Sequence, residues 1–376
     1  MKRVLTSIFC IAILQFGMAN KPTEQEAQNP KIQIALLLDV SNSMDGLIDQ
    51  AKAQLWKIVN ELALMKKDGQ QASMEIALYT FGDDRLKEED GYIQQWNAFS
   101  GDLDIISQNL FALTTSGGDE YCGWVISDVL DELSWSANQT DLQIIVIAGN
   151  ESFAQGARNY INSCEAALQK NVIINTIYCG NCSEGRSLFW EDGAMRGQGK
   201  YMCIDQNESV EFIPTPYDSL INIQNQKLND TYHGYGSNGA KRKAMQVAQD
   251  DEASDYSAAN MAERTLSKSS HVYSNDSWDV SDYYEKDADA ILALDDSELP
   301  DILKGKSKKE KIAILDDLRN QRVQINSTIG ELSKKRTEFI ESYRKENSLN
   351  GNGLDAAMLK LIGDQARDKG FIKGGE

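Results

Sequence analysis

The sequence predicts a doubly wound α/β domain, its mainly parallel sheet covered by helices on both faces, with a C-terminal helical extension beyond it. Three observations carry that prediction. Two aliphatic runs, 32–38 and 142–148, are apolar at nearly every position, which marks strands buried on both faces. Segments with helical apolar spacing alternate with the strands, the pattern of parallel strands joined by crossover helices. From about Asn222 onward no further buried strand occurs and Asp, Ser, Asn and Lys become frequent, so the α/β pattern ends there.

The chain has 376 residues, room for more than one core. Lys2 and Arg3 precede an apolar run over 8–16 and the small residues Gly17 and Ala19, the order of a cleaved secretory signal over 1–19. The run is shorter than the roughly 20 apolar residues that span a bilayer, so no membrane insertion is expected after cleavage. A short polar linker, 20–30, leads to the first strand, which ends in Asp39. Leu47, Ala51, Leu55, Ile58 and Leu62 then form one helical stripe. Strands follow at 74–81 and 93–99 and helices at 103–112 and 123–133. After the run at 142–148 come a helix over 155–170, a strand over 172–178 and a short strand over 201–204. The α/β domain is therefore placed at 31–225, with its ligand site outside the carboxyl ends of the strands.

Residues 226–305 read as a polar, partly ordered linker whose aromatics, among them Tyr232, Tyr273 and Trp278, offer docking points. Residues 306–376 read as a helical, coiled-coil-like extension. There Leu318, Arg322, Ile325, Ile329, Leu332, Arg336, Phe339 and Tyr343 alternate steps of four and three. Two arginines on one seam disfavour a tight homodimer, so the expected partner is the chain's own helix over 354–368, in a hairpin.

The formal net charge is −19, which repels phosphate backbones and anionic lipid and leaves cations and basic protein patches as the natural partners. Nucleic acid is excluded on that ground. Five cysteines follow the leader: Cys122, Cys164, Cys179, Cys182 and Cys203. Export favours structural disulfides, at most two, over the redox or zinc chemistry that the Cys179-x-x-Cys182 spacing suggests. Only two histidines occur, His233 and His271, both outside the α/β domain and in no catalytic pattern.

The informative motif is Asp39-Val40-Ser41-Asn42-Ser43, directly after the first buried strand. A strand-end carboxylate with hydroxyls at alternate positions can turn three oxygens into one loop cavity, and hard divalent ions prefer oxygen ligands. In this motif and in the spacing of the later strands, over roughly 31–225, the chain resembles the von Willebrand factor type A family. Its metal-ion-dependent adhesion site begins with Asp-x-Ser-x-Ser. The resemblance is sharpest to bacterial exported proteins with a single A domain, through the segment from Gly117 to Gly123 and the loop from Ile147 to Glu151.

The resemblance implies a site for Mg²⁺, or Mn²⁺ or Ca²⁺, held by Asp39, Ser41 and Ser43. From the Gly-rich loop Thr114-Thr115-Ser116-Gly117-Gly118-Asp119-Glu120 it implies Asp119 as a further ligand, with Thr115 as the alternative. The third loop departs from the family pattern. Where Thr-Asp-Gly is common, this chain has Ile147-Ala148-Gly149-Asn150-Glu151, so Ala148 occupies the carboxylate position and the site is either altered, with Asp119 restoring the charge and Asn150 or Glu151 reaching in, or incomplete. The implied function is divalent-cation-dependent protein binding or adhesion, periplasmic or extracellular, without catalysis, through a carboxylate offered by a protein partner. The alternatives are a metal-free scaffold of an envelope complex and a metal-assisted hydrolase.

Overall fold

The computed structural model describes residues 29–205, 207, 212–347 and 354–373. The leader expected over 1–19 lies outside the described residues. In chain order the first half forms β1 (Lys31–Asp39), α1 (Asp45–Ala63), β2 (Met65–Lys67), β3 (Gln70–Gln71), β4 (Ser73–Phe81), β5 (Gln94–Ser100), α2 (Leu103–Phe111), α3 (Cys122–Glu132) and β6 (Leu142–Gly149). It continues with α4 (Tyr160–Gln169), β7 (Ile173–Cys179), α5 (Cys182–Ser187), α6 (Trp190–Arg196) and β8 (Gln198–Ile204). The second half is helical: α7 (Asp218–Asp230), α8 (Gly239–Tyr256), α9 (Ala258–Ser269), α10 (Val280–Lys286), α11 (Ala288–Leu292), α12 (Lys308–Asn347) and α13 (Leu354–Asp368), closed by β9 (Phe371–Lys373).

The main sheet has the order β5-β4-β1-β6-β7-β8. All its neighbours pair in parallel except β5, which runs antiparallel to β4 at one edge. Alternation along the strands divides the core. Ile32, Ile34, Met74, Ile76, Ile144 and Val146 face α1, α2 and α13, whereas Ala35, Leu37, Tyr79, Ile145 and Ile147 face α3, α4 and α6. The chain steps from β1 to β4 on one side and later to β6 on the other. The topological switch point thus falls between β1 and β6, where Leu38 pairs with Ala148.

The helix expected over 155–170 begins five residues later, at Tyr160, because Asn159 caps it by accepting from the Ile161 amide. Two larger expectations fail. Residues 226–305 are not a linker: α7, α8 and α9 pack on one another and onto α1 and α2. Nor does α13 pair with α12 in a hairpin. It lies against α1, β6 and β8, covering sheet that would otherwise be bare on that face. The helices from α7 to α12 therefore form a lobe inserted between the last strand of the sheet and a helix of its own core, and the α/β domain does not end at residue 225.

The physical reason lies in the two seam arginines. Arg336 donates to Asp218 at 2.7 Å and to Glu263 at 2.6 Å. Arg322 donates to Asp279 at 2.8 Å, to Asp282, and to the Thr231 hydroxyl and carbonyl at 2.8 Å each, with its guanidinium 3.9 Å from the Tyr232 ring centroid. Each seam cation thus finds its carboxylates on the lobe, and buried charge goes where its partner is. No helix among the described residues is long and apolar enough to cross a membrane.

Candidate functional site

Asp39 closes β1 at the switch point and is fully buried. Its Oδ1 accepts from the Ser41 amide at 2.8 Å, whereas Oδ2 is buried without a hydrogen-bond partner. Gly149, the last residue of β6, allows this approach: a Cβ there would stand 2.9 Å from Asp39 Oδ2 and 3.2 Å from the Trp190 ring. The Ser41 hydroxyl lies 3.3 Å from that of Ser43, and Asn150 Nδ2 donates to Ser43 Oγ at 3.0 Å. The strand-end motif and the third loop therefore meet over one buried carboxylate.

The Gly-rich loop is pinned to the same rim, since the Ser116 amide donates to the Val40 carbonyl at 2.8 Å. It does not bring Asp119 inward. Asp119 is exposed and accepts long hydrogen bonds from the Tyr121 hydroxyl, 3.3 Å, and from Gln155, 3.4 Å. The next residue turns in instead: Glu120 is 5% exposed. A Cβ on Gly82 would lie 3.1 Å from both Asp39 Oδ1 and Glu120 Cγ, which shows how closely the two acids converge. Gly82 itself has φ +82°, a conformation that costs glycine little. Thr115 donates to Asp45 at the start of α1, beside the motif rather than within the cavity. Glu151 is exposed; its carbonyl accepts from the Trp190 indole at 2.7 Å, and its charge acts on both Asp39 and Glu120.

These placements set the electrostatics. Burial pushes the Asp39 carboxyl up to about 7, against the opposing hydrogen bonds from Ser41. Burial and then the Asp39 charge push Glu120 up to about 8, with Ser41 again opposing. Two buried carboxylates thus converge with no Lys or Arg paired to either among the described residues. Among the described residues no group of three or more His, Cys, Asp or Glu side chains forms a metal-binding cluster. The oxygens that converge are two carboxylates and two hydroxyls, a hard donor set that fits Mg²⁺ or Mn²⁺ better than a soft ion.

Sequence reasoning missed Glu120. The only signal for it is adjacency: Asp119 and Glu120 stand side by side, and which one points inward depends on how the loop enters α3. Strand order, the antiparallel edge strand and Asp-x-Ser-x-Ser at the carboxyl end of β1 decide the fold. The α/β part has the von Willebrand factor A fold. The chain is similar to solved A-domain proteins at low identity. Against BatB from Bacteroides thetaiotaomicron the identity is 15%, covering 46% of this chain and 90% of that one, with a TM-score of 0.36. Against the SpRpn10 VWA domain it is 18%, covering 51% and 94%, with a TM-score of 0.35. Against mussel byssus proximal thread matrix protein 1, solved with a zinc-occupied MIDAS motif, it is 14%, covering 46% and 42%, with a TM-score of 0.35. No family model and no curated protein matches the chain.

The cysteines resolve differently from the spacing argument. Cys182 pairs with Cys203, their Cα atoms 5.4 Å apart, and Cys122, Cys164 and Cys179 are buried free thiols. Cys179 sits opposite Ile204, one residue out of step with the Tyr178–Cys203 pair, so it points to the other face of the sheet. The Cys-x-x-Cys spacing therefore brings together no redox pair.

Proposed function

We propose that this chain is an exported binding protein of the A-domain type that engages a protein partner through a divalent cation, rather than an enzyme. Asp39, Ser41, Ser43 and Glu120 would hold the ion, with Glu120 supplying the negative charge missing at Ala148. The observation that carries the reading is Asp39 Oδ2, a buried carboxylate oxygen without a hydrogen-bond partner beside a second buried carboxylate. A divalent ion bound there would supply a positive centre at which a partner's carboxylate replaces water. Gly149 and Trp190 hold Asp39 in place, while Asn150 orients the Ser43 hydroxyl. Both histidines, the usual general bases, sit away from this rim: His271 contacts the Ala72 carbonyl at 3.0 Å and His233 lies beside Asp279 in the helical lobe.

One observation favours the alternative of a scaffold with a metal-free A domain: Ala148 stands where a carboxylate is common, and it is fully buried. Calorimetric titration of Mg²⁺, Mn²⁺ and Zn²⁺ into wild type and Asp39→Ala separates the two readings. Heat in wild type that vanishes in the variant supports the cation site. Equal heats, or none in either protein, favour the scaffold.

A further inference from the structure

Tyr121, the residue after Glu120, lines an open groove of about 650 Å³ together with Lys87, Glu88, Glu89, Trp124 and Ala157. Its walls are aromatic. Tyr121 and Trp124 stack with centroids 6.2 Å apart at 12°, and Tyr92 stands 5.6 Å from Tyr121. The loop before β5 is shaped around these rings. Gly91 has φ +69°, where a Cβ would meet Trp124 at 2.8 Å, and the bulky Tyr92 is itself held at φ +56°. A non-glycine residue in that region is strained and persists only where its surroundings fix it.

The rim is acidic beyond its own needs. Lys87 is paired with Glu89 and Arg85 with Asp83, which leaves Asp84, Glu88, Asp90 and Asp119 without an ion-pair partner among the described residues. The Tyr121 hydroxyl donates to Asp119 at 3.3 Å, so an acidic side chain stands directly against the rings. The groove already shows what such rings accept: Arg158, held by Asp128 at 2.7 Å, places its guanidinium 4.4 Å from the Trp124 centroid.

We propose that this groove receives a basic side chain of the protein partner, arginine in preference to lysine, between the Tyr92–Tyr121–Trp124 rings and the Glu88 and Asp119 carboxylates. The identity of the partner rests on the cation-dependent reading above, but the recognition of a guanidinium does not. A carboxylate approaching this rim alone meets like charge; one flanked by arginine is drawn in, and that sets which carboxylates are selected.

The test uses the full chain, a fluorescently labelled Arg-Gly-Arg tripeptide amide and its Lys-Gly-Lys counterpart, read by anisotropy at low salt in EDTA. The expected result is binding that favours the arginine peptide and weakens about tenfold in Glu88→Lys. Asp317→Lys, an exposed site on α12, which packs on α7, α9 and α10 rather than on α3 or β5, makes the same charge change and should shift binding less than about twofold, because screening removes distant charges. Tyr92→Ser should also weaken the arginine peptide, with a far-ultraviolet spectrum that matches wild type. Equal weakening by Glu88→Lys and Asp317→Lys overturns the proposal, since net charge alone would then explain the binding. So does the absence of binding to wild type. Failure here with an intact Mn²⁺ titration removes only the groove, and an absent Mn²⁺ titration with intact peptide binding removes only the cation site.

Discussion

Two clusters of buried carboxylates in this molecule are answered in opposite ways. Where the lobe meets the α/β domain, Asp104 and Asp250 are met by cations of the chain itself. Arg264, with no exposed surface, donates to Asp250 at 2.6 Å and Asp104 at 2.9 Å, and Lys268 donates to Asp250 at 2.9 Å. Tyr273 donates to Asp104 at 2.8 Å, and Asn225 and Asn229 each donate to Asp250 at 2.7 Å. At the rim of the sheet Asp39 and Glu120 are as deeply placed, yet no Lys or Arg is paired with them among the described residues. A buried charge that folding has matched is structural; one left unmatched is neutralised by a proton or by a counter-ion from outside. The contrast also shows in their ionisation. Against the effect of burial, Lys268 and Arg264 hold the Asp250 carboxyl far below the usual range, while burial raises Asp39 and Glu120 far above it.

The largest expected effect is on the matched cluster. Arg264→Met leaves buried Asp104 without its cation and Asp250 with Lys268 alone, and should cost about 3–5 kcal/mol, read as a fall in the urea midpoint. A loss below about 1 kcal/mol would mean that the cluster is not structurally essential. Breaking the lobe at its other anchor should cost less: Arg336→Met leaves Asp218 and Glu263 partly hydrated and should lose roughly 2–3 kcal/mol, with protease cutting appearing first in α12.

Acid adds a graded test. A carboxyl lowered in the folded state contributes stability that is present above its unfolded value, near 3.8 for Asp250, and is lost as pH falls toward the folded value. Wild type should therefore lose stability below about pH 4 at roughly 1.4 kcal/mol per unit for this group. Asp250→Asn should be less stable at neutral pH and show a flatter acid limb. Identical acid limbs would place the sensitivity elsewhere. The smallest effect on folding belongs to the unmatched cluster. Glu120→Gln should leave stability within about 1 kcal/mol of wild type, or slightly higher, while weakening Mn²⁺ binding about tenfold.

The same contrast explains what the sequence disclosed. Strands β1 and β6 were legible because burial on both faces leaves no polar alternation to confuse the reading, and α1 because one clean apolar stripe meets the sheet. The lobe was not. Helix α9 buries Asn260, Arg264, Thr265, Ser267 and Lys268 beside Ala259, Met261 and Ala262, so most of its inward face is written in residues that normally mark solvent. Hydrophobic periodicity is a weak guide where a core is held largely by paired charge. For the same reason Arg322 and Arg336 spoke only against a homodimer and left the partner within the chain to be assigned to α13, when each anchors α12 to the lobe. In the site, the strand-end motif located Asp39, Ser41 and Ser43, whereas the choice between Asp119 and Glu120 rests on one turn of loop geometry that spacing does not encode.

Thermal melting with and without excess Mn²⁺, in wild type and Asp39→Asn, tests the unmatched-carboxylate claim most directly. The cation should raise the melting temperature of wild type, and Asp39→Asn should melt at or above cation-free wild type with no response to Mn²⁺. A variant that melts lower than cation-free wild type, or that keeps the full Mn²⁺ shift, would contradict the account.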